Sequence, residues 1–173
     1  MKKIIAIFII ILNIALFGEV VKDTKEHKIR TDKGITWEEF YKDGVLTKSL
    51  VYMKKKDIIY EKEYYPNSFI KKEFIIIKGK KEGIEKEYYD DYKTSKLAYY
   101  KKGKEQGLTK YYYKNGNLKE EIGMDKGILN GPYYLYYENG KLKEEKEYAK
   151  GKQIGVHKKY NKNGKLLFEV KVN

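Results

Sequence analysis

From about residue 36 onward the chain alternates apolar and polar residues in short runs, and the runs recur at a fixed step. The clearest instance is Gly131-Pro132-Tyr133-Tyr134-Leu135-Tyr136-Tyr137, then Glu138-Asn139-Gly140, then Lys141 to Tyr148 with Leu142 near its start. Period-two runs bounded by turn residues predict β-strands, and Asn-Gly between two such runs predicts a hairpin, because both residues tolerate positive φ.

The hairpin repeats. The dipeptides Phe40-Tyr41, Tyr64-Tyr65, Tyr88-Tyr89, Tyr112-Tyr113, Tyr136-Tyr137 and Tyr160-Asn161 start 24 residues apart. Gly79/Gly83, Gly103/Gly107, Gly127/Gly131 and Gly151/Gly155 keep the same step and read as the turn from one hairpin into the next. Asp43-Gly44, Asn115-Gly116, Asn139-Gly140 and Asn163-Gly164 mark the hairpin tips, and Pro66-Asn67-Ser68 fills that place in the second unit. In the third unit Asp90 to Ser95 reads as about three extra residues, offset by a loss before Gly103. A fixed period of this length means an array in which each unit packs on its neighbours. The expected architecture is all-β: an elongated single antiparallel sheet of about six stacked hairpins over residues 36–173, after a polar leader at 19–35.

Parity assigns the faces. With the first aromatic of each dipeptide as zero, a three-residue tip loop pairs offset zero with offset six. Four mostly apolar columns then share one face: Tyr60, Ile84, Leu108, Pro132 and Val156; Leu46, Ile70, Leu118, Leu142 and Leu166; Leu50, Phe74, Ala98, Ile122, Lys146 and Val170; Tyr52, Ile76, Tyr100, Met124, Tyr148 and Val172. That face is the expected core, with Lys110 opposite Glu120. A two-residue turn would instead pair Tyr137 with Leu142. On the other face Tyr41, Tyr65, Tyr89, Tyr113 and Tyr137 form a line among Lys71, Glu73, Lys119, Glu121, Lys143, Glu145 and Glu169. Trp37 stands at the start of the array as an expected cap.

Units of the form Gly-x-x-x-Tyr-Tyr-x-Asn-Gly-x-Leu-x-x-Glu resemble the MORN repeat variant of bacterial proteins of the YwqK antitoxin type. The resemblance covers about residues 36–173. It implies stacked β-hairpins, no catalytic residues, and binding of proteins or membranes.

Composition adds a compartment and a charge. Met1-Lys2-Lys3 precedes an apolar run from Ile4 to Phe17, interrupted by Asn13, and polar sequence starts at Glu19. This reads as a secretory signal peptide, 1–18, whose helix is cut near Gly18, with an uncleaved anchor as the alternative. The run is short for a membrane span, which needs about 20 residues. Without residues 1–18, which hold two lysines and no acid, the net charge falls from +13 to +11. Such an excess attracts anionic surfaces. Ile, Leu, Val and Phe are sparse, but nineteen tyrosines supply the area that a thin core needs.

The residue inventory excludes much chemistry. There is no cysteine, hence no disulfide, thiolate metal site or thiol nucleophile, and His27 and His157 are the only histidines. No phosphate loop, nucleophile elbow or His-Glu-x-x-His pattern is present. Glu73, Glu121, Glu145 and Glu169 recur at the repeat step and so serve the unit. The expectation is an exported, non-enzymatic scaffold without cofactor or metal. Its tyrosine row, Tyr41, Tyr65, Tyr89, Tyr113 and Tyr137, offers rigid contact area to a protein partner. Attachment to an anionic membrane or wall polymer is the second expectation, and nucleic acid ranks low for an exported chain. The apolar last unit, Lys165 to Asn173, is expected to leave an adhesive edge.

Overall fold

The structure, a computed structural model, describes residues 19–172. The expected signal-peptide helix lies outside the described residues. Fourteen strands follow one another across a single open antiparallel sheet. They are β1 (Glu19–Asp23), β2 (His27–Asp32), β3 (Ile35–Lys42), β4 (Val45–Met53), β5 (Ile58–Tyr64), β6 (Ile70–Ile77), β8 (Gly83–Tyr88), β9 (Thr94–Lys101), β11 (Gly107–Tyr112), β12 (Leu118–Asp125), β13 (Ile128–Tyr136), β14 (Leu142–Ala149), β15 (Lys152–Tyr160) and β16 (Leu166–Val172). Two-residue pieces, β7 (Lys80–Lys81) and β10 (Lys104–Glu105), pair with β6 and β9 where the chain turns between hairpins. Residues 19–35 are therefore part of the sheet: β2 lies against β3 in an unbroken register from His27↔Phe40 to Asp32↔Ile35.

Tip loops of three residues recur, as expected. Each puts its third residue at positive φ: Ser68 at 66°, Tyr92 at 68°, Gly116 at 92°. That is the left-handed position such a loop requires, and glycine occupies it at least cost. The third unit is regular, contrary to the expected insertion. Tyr88 pairs with Thr94 as Tyr112 pairs with Leu118, so Asp90-Asp91-Tyr92 is an ordinary three-residue loop and Thr94 stands in the leucine column.

The paired glycines do two different jobs, not the single turn expected of them. Gly79, Gly103, Gly127 and Gly151 do lie in the turns between hairpins. Their partners Gly83, Gly107, Gly131 and Gly155 do not. Gly83 and Gly107 open β8 and β11, whereas Gly131 and Gly155 lie inside β13 and β15. Around Gly155 the pairing runs from Glu147↔Ile154 to Glu145↔Lys158, so Gly155, Val156 and His157 all stand opposite Lys146. Gly155 is thus an exposed bulge residue in mid-strand, with φ of 70°. A bulge that takes its first residue into positive φ favours glycine for the same steric reason as a turn. Gly131 does the same opposite Gly123, at φ of 107°.

One residue beyond the first pair that follows each tip loop, the register slips again. Tyr136 pairs with Leu142, but Leu135 pairs with Glu144, so Lys143 is a single-residue β-bulge. The same slip recurs in the hairpins that begin at β3, β5, β8, β11 and β15. A bulge moves every later residue of one strand to the opposite face. The expected single core face is thereby split in two. The Tyr60/Ile84/Leu108 column now pairs with Ile75, Tyr99 and Gly123 on one face, whereas Leu50, Phe74, Ala98 and Ile122 pair with Glu61 and with Glu85 and Thr109 on the other. Lys110 faces Glu121, at 2.9 Å between side chains, and Tyr111 faces Glu120.

The face carrying Leu50, Glu85, Ala98 and Thr109 is crowded, and all four are buried. The other face is open. Among the described residues there is no second layer, so burial comes from neighbouring side chains along the row. At Gly123 the crossing is tightest: a Cβ there would meet the Asn130 carbonyl oxygen at 2.6 Å and the Gly131 Cα at 3.0 Å. Backbone cannot yield as a flexible side chain can. Gly123→Ala is expected to cost about 1–3 kcal/mol, read as a lower urea midpoint; an unchanged midpoint would contradict the close approach.

Candidate functional site

Three surfaces bear on function: the hairpin tips, the crowded face and the open face. At the tips the second tyrosine of each dipeptide reaches the next hairpin. The hydroxyls of Tyr65, Tyr89, Tyr113 and Tyr137 donate to the backbone carbonyls of Tyr88, Tyr112, Tyr136 and Tyr160 at 2.6–2.8 Å. Beside them the Asn67, Asn115 and Asn139 amides donate to the carbonyls of Asp90, Glu138 and Lys162 at 2.9–3.0 Å. The bulge lysines Lys71, Lys119 and Lys143 lie over the rings of Tyr65, Tyr113 and Tyr137 at 5.7–5.9 Å. Burial raises the Tyr65 and Tyr113 phenols above the ordinary tyrosine value.

The expected tyrosine row is thus assembled as a line, with four of its hydroxyls committed inside the protein. Tyr41 stands apart. Its hairpin has a two-residue turn, so Tyr41 pairs with Leu46 as Tyr64 pairs with Ile70, and its hydroxyl donates to Glu39 at 2.8 Å. The 24-residue spacing between Phe40-Tyr41 and Tyr64-Tyr65 survives because the β4–β5 connection, a single 3₁₀ turn at Lys54–Lys56, compensates in length.

On the crowded face Glu85 is 1% exposed. Lys81 donates to it, Lys72 lies at 3.3 Å and Lys96 at 3.8 Å. Lys72 also reaches Glu87 at 3.1 Å, and Lys96 reaches Glu105 at 3.0 Å. Lys81 lies over the rings of Phe74 and Tyr100 at 4.3 and 5.0 Å. Burial pushes Lys72 and Lys96 down, but the hydrogen bonds and charges of Glu87, Glu105 and Glu85 outweigh it and hold both above the ordinary lysine value. A buried carboxylate flanked by three ammonium groups and a phenol is a satisfied network, whose members specify one another. Both histidines belong to this face rather than to solvent: His27 Nε2 lies 2.6 Å from Glu38, and His157 packs edge-on against Phe168 at 5.0 Å. Tyr52 donates to Glu38 at 2.9 Å, and burial together with that bond pushes its phenol up to about 12. Among the described residues no group of three or more His, Cys, Asp or Glu could hold a metal ion.

The open face was hidden from sequence reasoning by the bulge. One row across it runs Lys62, Glu73, Lys86, Leu97, Lys110, Glu121, and Leu97 breaks the acid column between two lysines. Lys62 and Lys110 pair with Glu73 and Glu121 at 3.6 and 2.9 Å. The adjoining row is apolar and exposed: Tyr60 38%, Ile84 53%, Tyr99 44% and Leu108 45%. Between Tyr60, Ile75 and Ile84 the surface forms a shallow hollow rimmed by Lys62, Glu73 and Lys86. The signal in the sequence was the single leucine at Leu97 in a column of glutamates.

The arrangement defines an open, single-layer array of stacked hairpins. Three consecutive units, residues 105–125, 129–150 and 153–173, match the MORN repeat variant. No curated relative matches the sequence. Similar solved structures include TarM of S. aureus, a mutant in complex with Fondaparinux, alpha-GlcNAc-glycerol and UDP, at 12% identity and a TM-score of 0.39, and a second TarM structure at 13% and 0.37. They cover 69% and 68% of this chain, which spans only 22% and 21% of theirs. Likeness at that level says nothing about activity.

Two outcomes follow. Tyr113→Phe keeps the ring and leaves the Tyr136 carbonyl without its donor, so it should lower stability by about 1 kcal/mol in urea unfolding, and no change would show the rung to be idle. The second concerns alkali. Burial, then hydrogen bonds to glutamates, raises the phenols of Tyr52, Tyr88 and Tyr100. A raised folded pKa favours the neutral phenol, so this stabilisation is intact below about pH 10; at Tyr52 it is lost as pH climbs through about 12, and at Tyr88 and Tyr100 later still. Absorbance of ionised tyrosine should show a fraction of phenols titrating late and together with unfolding; all nineteen titrating near the free value would contradict the network.

Proposed function

We propose that the chain is an exported, non-enzymatic repeat scaffold that binds another protein through its open face. The observation that carries this is the exposed apolar row of Tyr60, Ile84, Tyr99 and Leu108 beside Lys86, which has no ion pair among the described residues. Exposed apolar patches rimmed by charge mark interaction sites, and aromatic side chains are enriched in their centres. The tyrosines Tyr65, Tyr89, Tyr113 and Tyr137 support this face by fixing one hairpin against the next. Export rests on the basic start and the apolar run at 4–17. The likeness of the units to the YwqK antitoxin type favours contact with a protein, as an immunity protein makes, over turnover of a substrate.

A second reading, attachment to an anionic membrane or wall polymer, draws on the lysine excess, which gathers along one edge of the ribbon.

The first reading is tested with Ile84→Ser, Tyr99→Ser and Leu108→Ser combined. The variant should stay folded, because about half of each residue is already in water, and should lose at least tenfold in capture of a protein retained by the unaltered chain from envelope or culture fractions. A folded variant with undiminished capture would contradict it.

A further inference from the structure

The two long edges of the ribbon differ in what they place at positive φ. At the hairpin tips those positions hold Asp43, Ser68, Tyr92 or glycine. At the two-residue turns between hairpins the pair is Lys-Gly: Lys33, Lys78, Lys102, Lys126 and Lys150 have φ of 46–53°, each followed by a glycine at 72–83°, whereas the longer β4–β5 connection has Asp57 at 50°. Two successive positive φ values are what a type I′ turn needs, and asparagine or glycine fills its first position most cheaply. Lysine has no local hydrogen bond to offer in return for the left-handed conformation. Its recurrence there points to the charge.

These turns are held in register. The N–H groups of Gly103, Gly127 and Gly151 donate to the carbonyls of Lys81, Glu105 and Leu129 on the preceding turn at 2.8–2.9 Å. The N–H groups of Lys102, Lys126 and Lys150 are tied to the side chains of Glu82, Gln106 and Asn130. Strand-end lysines Lys80, Lys104 and Lys152 sit next to them, and Lys54–Lys56 occupy the longer connection on the same edge. All are exposed, and among the described residues none of them forms an ion pair. The acids on this edge are few: Asp32, Asp57, Glu82 and Asp125. Glu105 is turned onto the crowded face, bound to Lys96 and Tyr100.

We infer that this edge is a binding rail for a linear polyanion, a chain bearing phosphate, sulfate or carboxylate groups at regular steps. Successive turns lie two strands apart, about 10 Å. Each strand adds about 20–25° of twist, so the lysines advance by about 45° per turn and wind around the ribbon. A flexible polymer can follow that winding line. A flat membrane would meet only a turn or two of it. The inference rests on the charge-driven reading above and is independent of the open face.

The test uses the full-length chain and long-chain inorganic polyphosphate, with tripolyphosphate and vesicles of phosphatidylcholine and phosphatidylglycerol beside it. Lys78, Lys102, Lys126 and Lys150 are changed together to Asn, which fits the turn better than lysine and so preserves the fold. Long polyphosphate should bind the unaltered chain far more tightly than tripolyphosphate. In the variant the slope of log affinity against log salt should fall by about three, and affinity at low salt by at least tenfold. A control, Lys93, Lys114, Lys141 and Lys162 changed to Asn at the tips, removes the same charge from the other edge and should lose less than half as much. Equal loss in both variants would overturn the rail and leave only diffuse attraction. Vesicle binding that polyphosphate does not displace would overturn the polymer while sparing the broader charge-driven reading, and binding to neither probe would remove both.

Discussion

A phenol that donates to a backbone carbonyl one hairpin ahead ties this protein together sideways. A single-layer sheet has no opposing layer to bury its side chains, so lateral contacts must hold successive hairpins in register. The rungs from Tyr65, Tyr89, Tyr113 and Tyr137 do this at the tips, and the glycine N–H rungs do it at the opposite edge. Each rung is worth only about 1 kcal/mol, but it recurs once per unit, and the stability of such an array is a sum over units and their interfaces. Tyrosine suits the task because one side chain covers a neighbour with its ring and satisfies a carbonyl with its hydroxyl.

The rungs also decide what each surface is free to do. Tyrosines that bond to the next hairpin frame the sheet rather than reach beyond it. Carboxylates and ammonium groups on the crowded face satisfy one another around Glu85. What stays unmatched is apolar on the open face, at Ile84, Tyr99 and Leu108, and cationic on the inter-hairpin edge, at the Lys-Gly turns. The two are separate surfaces of different chemistry on one sheet.

Much of this was legible in the sequence. The step between dipeptides, the Asn-Gly tips and the recurring glycines dictate stacked hairpins, because turn geometry is written in residue types that tolerate positive φ. The same tolerance misleads at Gly131 and Gly155, where positive φ belongs to a bulge inside a strand and not to a turn. The faces were not legible. The bulge position beyond each tip is occupied by Thr47, Lys71, Ser95, Lys119, Lys143 and Leu167, none of them a glycine or another residue type that marks a bulge, so the slip that divides the apolar columns is not announced by composition. Thr94 in a leucine column disguised the third unit, and the equal spacing of Phe40-Tyr41 and Tyr64-Tyr65 concealed a turn one residue shorter. Strand β2, His27-Lys28-Ile29-Arg30-Thr31-Asp32, has too few apolar residues to announce itself and forms because β3 offers it an edge.

Amide hydrogen exchange along the chain, read by mass spectrometry under native conditions, tests the central claim most directly. If lateral rungs between neighbours hold the ribbon, protection should be highest in the hairpins around β8 to β13 and fall stepwise toward β1 and β16, each hairpin opening at its own free energy. Uniform protection from end to end, lost in one cooperative event, would show a shared core in place of neighbour-to-neighbour contacts and contradict the account.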